Sequence, residues 1–259
     1  MRPRTLSTPT LFATAAATFI FASATLAQSE YTIPDGTPAY IAAAVNSDVR
    51  AADATGRDSG RKPAEVLNLT GIEPGSRVLE FGAFGHYYTT LLSEIVGASG
   101  HVYMLDMPWI EPFGGEGARA FAAEHDNASF MQTHYNDADY PDDLDAAMMV
   151  LFYHDLLRDD AAQTVDTADL NERVFNALKS GGRYVIIDHR AEDGSGWRDA
   201  MTLHRIDAGV IIDEVTAAGF ELVENSSLLT NPDDDRTGGI RDPSLRGRTD
   251  RALLVFQKP

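Results

Sequence analysis

No cysteine occurs anywhere in the 259 residues. Disulfides, thiolate-held metals and cysteine nucleophiles are therefore excluded. Basic residues are scarce as well: 21 Lys and Arg against 39 Asp and Glu leave a formal net charge of -18. So acidic a chain offers no basic stripe to neutralise phosphates, which excludes nucleic acid as a partner. No segment is apolar and long enough to span a bilayer. What is present is globular material, 44% hydrophobic and 23% charged, enough to bury one full core.

The first 27 residues read as an export signal. Arg2 and Arg4 form a positive start, Leu11 to Phe21 a short apolar core, and Thr25, Leu26 and Ala27 a small-residue cleavage site before Gln28. Cleavage is expected after Ala27, with Ala24 as second choice. The mature protein is then periplasmic or secreted, without stable membrane insertion. Residues 28–60 read as a polar, alanine-rich lead-in, helical over Pro38 to Val45 and superficial over Ser47 to Gly60. Residues 61–259 read as one α/β domain.

Within that domain, apolar runs of strand length alternate with helical segments. Strands are expected at Arg77 to Phe81, His101 to Asp106, Ser129 to Thr133, Leu144 to Phe152, Arg183 to Asp188, Phe220 to Asn225 and Ala252 to Gln257. Apart from Asp145, the run at Leu144 to Phe152 is apolar throughout, as a central parallel strand should be. Helices are expected over Lys62 to Leu69, Tyr88 to Val96, Ala118 to His125, Thr167 to Leu178 and Ile206 to Gly219. No helix separates the last two strands, only the Asp- and Gly-rich loop 226–250. The fold class is therefore a Rossmann-like α/β fold: a seven-stranded, mostly parallel sheet with one antiparallel strand and helices on both faces.

The strand-to-helix turn after Arg77 to Phe81 carries Gly82 and Gly85, which allow close backbone approach, and Glu80 ends the strand as a carboxylate. This stretch resembles the first motif of class I S-adenosylmethionine-dependent methyltransferases, acid-x-Gly-x-Gly-x-Gly, with Phe84 and His86 at the second and third glycine positions. The chain also resembles a family of exported methyltransferases through Arg61 to Glu65, Tyr153 to Asp155, Asp188 and His189, Thr202 to Asp207, Asn231 to Arg236 and Arg246 to Asp250. The resemblance implies the fold, S-adenosylmethionine as cofactor, and methyl transfer to a small molecule. It implies cofactor contacts at Glu80, Gly82, Phe84, Gly85 and His86, and ribose binding by Asp106. A turn carboxylate is the alternative role for Asp106.

Loops after parallel strands share one edge of the sheet. Glu80, Asp106, His154, Asp155, Asp188 and His189 all lie at strand ends there, and His204 and Arg205 fall within reach. Histidine beside carboxylate suits proton transfer at neutral pH, so His154, Asp155, Asp188, His189, His204 and Arg205 are the candidate catalytic residues. His101, His125 and His134 are assigned to surface or packing. The same donors could hold a divalent metal, but their dispersed spacing, without a helical His-x-x-x-His pair, does not favour one. Arg236, Arg246 and Arg248 read as a solvated ion-pair network, or alternatively as a lid offering a guanidinium to an anion. Two other functions stay open: a hydrolysing, eliminating or isomerising enzyme on the same scaffold, and a non-catalytic binding protein.

Overall fold

The computed structural model describes residues 31–259, so the signal segment lies outside the described residues. Seven strands form one sheet: β1 (Arg77–Phe81), β2 (His101–Asp106), β3 (Ala128–Gln132), β4 (Leu144–Val150), β5 (Leu178–His189), β6 (Glu221–Ser226) and β7 (Arg251–Gln257). Their spatial order is β3-β2-β1-β4-β5-β7-β6. The first five strands pair parallel. β7 runs antiparallel between β5 and β6, as the missing helix before it requires. The order reverses between β1 and β4, which opens a crevice at their C-terminal ends.

Side chains of successive strand residues point to opposite faces, and the core divides accordingly. Leu79, Phe81, Ala147, Met149 and Ile186 belong to one buried cluster with Leu170 and Val174 of α7 (Thr167–Ala177) and Ile211 and Val215 of α9 (Ala208–Ala217). Val78, Ala146, Met148, Val185 and Ile187 belong to the other. Their partners are Ile41 of α1 (Ala39–Val45), Leu67 of α4 (Pro63–Thr70), and Leu91 and Ile95 of α5 (Tyr87–Val96). Burial on both faces is why β4 reads as an apolar run from Ala146 onward; Asp145, at its start, pairs with Lys179 instead. Among the described residues no helix is long and apolar enough to cross a membrane.

Three elements differ from the sequence reading. The Lys179 to Gly182 stretch, expected to end a helix, instead opens β5. The β4–β5 ladder shifts register between its Leu144↔Leu178 and Ala146↔Arg183 pairs, and Gly181 takes φ +82° to absorb the shift. The last helix starts at Ala208 rather than Ile206, because the Asp207 carboxylate accepts the N–H of Gly209 and caps it. The Ser47 to Gly60 segment is not merely superficial. It contains α2 (Ala52–Thr55), leads into α3 (Asp58–Arg61), and buries Arg50 and Asp58 as an ion pair at 2.6 Å. Tyr87 donates its hydroxyl to the same Asp58 at 2.6 Å, tying the segment to the start of α5.

Candidate functional site

A cavity of about 1080 Å³ opens at the C-terminal edge of the sheet. One wall is the β1–α5 turn, where Gly82, Ala83 and Phe84 face the space above Glu80. Gly82 has φ +66°, and a Cβ there would stand 3.1 Å from the Phe152 ring, so conformation and space both call for glycine. Gly85, at φ +83°, completes the turn. Glu80 is 5% exposed, and its Oε2 has no hydrogen-bond partner among the described residues. Burial pushes its carboxyl up to about 8, with the Asp106 charge adding to the effect. Trp109, stacked on Phe152, likewise lines the cavity with an indole N–H that has no partner among the described residues.

Two expected cofactor residues do not face this space. Asp106 is fully buried and accepts the Ala83 N–H at 2.8 Å. Its Oδ1 acts as a turn carboxylate that holds the glycine loop, while Oδ2 has no partner among the described residues and the side chain is not on the cavity wall. His86 turns to the far side of the loop, where its ring stacks on Phe121 of α6 (Glu116–Glu124) at 5.6 Å. There the imidazole is half-buried against an aromatic face.

A histidine group forms the second wall. Val150 ends β4, and a single helical turn over Tyr153–Asp155 carries His154 over the end of β5. Fully buried Asp188 accepts from three donors: His154 Nδ1 at 2.7 Å, the His154 N–H at 2.8 Å and the His189 N–H at 2.7 Å. That arrangement fixes the proton of His154 on Nδ1 and leaves Nε2 basic. Nε2 lies 3.5 Å from Asp155, whose other oxygen is 3.3 Å from His204 Nδ1 and 3.2 Å from Arg158. The His189 ring stands 5.8 Å from that of His154, with its Nδ1 2.7 Å from Thr249 Oγ1.

The three imidazoles differ in proton affinity. Burial pulls His154 down, but the charges of Asp188 and Asp155 outweigh it and leave His154 above the ordinary histidine range. His189 is pushed well down by burial, then by His154 and Arg251. His204 is lowered chiefly by burial, partly offset by Asp155. One imidazole raised above its ordinary proton affinity, with two lowered ones beside it, is an arrangement for moving a single proton.

Of the expected catalytic residues, His154, Asp155, His189 and His204 line the cavity, and Asp188 supports them from behind. Arg205 does not join them. It is fully buried, pairs with Asp234 through both guanidinium nitrogens at 2.9 and 3.0 Å, and donates to the carbonyls of Gly238 and Arg190. Its charge is consumed in pinning the 226–250 loop. Within that loop Arg236 pairs with Asp250 and Asp193, each at 2.8 Å, while Arg246 faces the cavity. His154, Asp155 and His204 have ligand atoms within 4.8 Å of one another, close enough for a metal, although Arg158 already shares the carboxylate. The sequence reading missed Arg57, Trp109, Arg158 and Arg251 on the cavity wall. Arg251 carried no signal because it opens an apolar strand.

No protein-family model matches the chain, and no curated protein does. Solved structures do. An S-adenosylmethionine-dependent methyltransferase from Mesorhizobium loti aligns with TM-score 0.56 at 18% identity, over 78% of this chain and 100% of its own. A methyltransferase of the same dependence from Aquifex aeolicus gives 0.53 at 18%, over 74% and 88%. The cyclase SpnF gives 0.56 at 18%, over 83% and 85%. At such identities the likeness shows the fold, which is that of S-adenosylmethionine-dependent methyltransferases.

Proposed function

We propose that the protein is an S-adenosylmethionine-dependent methyltransferase acting on a small molecule, with His154 as general base. The observation that carries this reading is that the glycine turn and the His154–Asp188 pair open onto one cavity. The residues present fit the amino-acid half of the cofactor. Glu80 offers a buried carboxyl beside the turn with one unpartnered oxygen, Oε2, suited to an ammonium, and the backbone of Gly82 to Phe84 offers close approach. When bound, the cofactor supplies an electrophilic methyl group on a sulfonium. His154 Nε2 accepts the acceptor's proton, and Asp188 stabilises the imidazolium that results. Asp155 and His204 give that proton an onward path to the cavity mouth. Holding the acceptor in line is worth more than the proton transfer itself, so the cavity walls carry most of the rate.

A second reading keeps the same base without methyl transfer, and the sealed carboxylate of Asp106 favours it. Here the His154–Asp188 pair abstracts a proton in an elimination or isomerisation. One protein of this fold, SpnF, is named as a cyclase, so the scaffold accommodates other chemistry. Mass spectrometry of small molecules released from protein purified from the cytosol, where the cofactor is made, separates the two. Release of S-adenosylmethionine or S-adenosylhomocysteine supports methyl transfer; a cavity that loads neither, even after incubation with excess cofactor, refutes it.

A further inference from the structure

Against a formal net charge of -18, the cavity is lined by six arginines and only two carboxyl groups, Glu80 and Asp155. Charge of one sign gathered in a cleft concentrates ligands of the other sign there. Arg158 is paired with Asp155 at 3.2 Å. Among the described residues, Arg57, Arg61, Arg241, Arg246 and Arg251 form no ion pair with a carboxylate.

Three of these converge at the start of α5. Arg61 and Arg57 stand over the Tyr87 ring at 4.4 and 5.1 Å. Arg251 donates to the carbonyl of Gly60 at 2.6 Å, next to Arg61. Asp58, in the same segment, is already committed to Arg50 and Tyr87. Burial first, with the charge of Arg61 contributing, holds both Arg57 and Arg251 below the ordinary guanidinium range. Arg251 is only 9% exposed, and its Nε has no hydrogen-bond partner among the described residues. A buried, unpartnered donor beside two unpaired guanidiniums costs stability, and an anion at that point offsets the cost.

Tyr88 borders both groups: Arg61 stands over its ring at 5.9 Å, and the charges of Arg251 and Glu80 also reach it. The acidic end lies by the glycine turn and the basic end by α3. His189, reached by the charges of Arg251 and Arg61, sits between that basic end and His154.

We propose that the basic end is the recognition site for the acceptor, and that the acceptor is a small organic oxyanion bearing a carboxylate, sulfate or phosphate group. The word acceptor rests on the methyltransferase reading; the anion site rests on the arginines alone.

The test is calorimetric titration of the purified protein with inorganic phosphate, sulfate and benzoate at fixed ionic strength, each with and without S-adenosylhomocysteine. The proteins compared are the wild type, Arg61→Gln, Arg246→Gln on the exposed loop, and the Arg57→Gln/Arg61→Gln pair. At least one of the three anions should bind the wild type, and Arg61→Gln should weaken it about tenfold, the worth of one charge-assisted contact. Which anion binds best names the charged group of the ligand. S-adenosylhomocysteine affinity should stay unchanged in Arg61→Gln. Absence of all anion binding, or equal binding by the double variant, overturns the proposal. Parallel loss of anion and S-adenosylhomocysteine binding in Arg61→Gln also overturns it, because the arginines then hold the cofactor's own carboxylate. Anion binding without any S-adenosylhomocysteine binding leaves the site standing and removes the methyltransferase reading.

Discussion

Replacing Glu80 by Gln should stabilise the protein at neutral pH, by an amount that grows with pH. Glu80 is a carboxyl raised by burial from 4.5 to about 8. Its sign is the reverse of the usual surface carboxylate. From pH 4.5 upward the unfolded chain releases this proton while the folded chain keeps it, so stability falls until the folded group also ionises near 8. Each pH unit in that window costs about 1.4 kcal/mol, so the advantage of Glu80→Gln should widen by about 3 kcal/mol between roughly pH 5.5 and 7.5. Glutamine keeps the shape and does not titrate. Urea denaturation of both proteins across the window measures the difference, with a common slope expected because the surface exposed is the same. An advantage that stays constant with pH, or a variant weakened throughout, would show that Glu80 is ionised in the fold and would refute the reasoning.

His154→Gln should abolish turnover on any substrate, and its loss as a partner of buried Asp188 should cost about 1–3 kcal/mol in thermal denaturation. His204→Gln, at the rim, should slow turnover while leaving the melting temperature within about 2 °C, since surface changes stay near 0.5 kcal/mol. Because Asp188 holds His154 above the ordinary range, and a general base works deprotonated, Asp188→Asn should move the acidic limb of the rate profile to lower pH; an unmoved limb removes His154 as the titrating base. Arg205→Met leaves Asp234 buried without its charge partner and should cost about 3–5 kcal/mol by denaturation. N-terminal sequencing of the exported protein should begin at Gln28 or within a few residues of it, and an intact Met1 would contradict the signal reading.

The parallel sheet was legible because burial on both faces writes long apolar runs, and the antiparallel β7 because a helix is missing before it. The histidine wall was legible for a related reason: strand ends are visible in sequence, and parallel strands bring their ends together. Three features were not. Arg205 stands beside His204 in sequence yet points into the 226–250 loop, a choice made by Asp234, 29 residues on. Asp106 ends its strand as a cofactor acid would, but a single hydrogen bond from Ala83 seals it. The gathering of Arg57, Arg61 and Arg251 joins residues from opposite ends of the domain, and only folding brings Arg251 against Gly60. Local pattern reveals which element a side chain leaves from; its destination depends on partners far along the chain.

The central claim, that the glycine turn and Glu80 receive S-adenosylmethionine, is tested most directly by calorimetric titration of the purified protein with S-adenosylhomocysteine. The account predicts saturable binding at one site per chain, retained in His154→Gln and lost when Gly82 is replaced by Val, whose side chain meets the Phe152 ring. No heat up to about 1 mM ligand, where binding would be worth only about 4 kcal/mol, would contradict it.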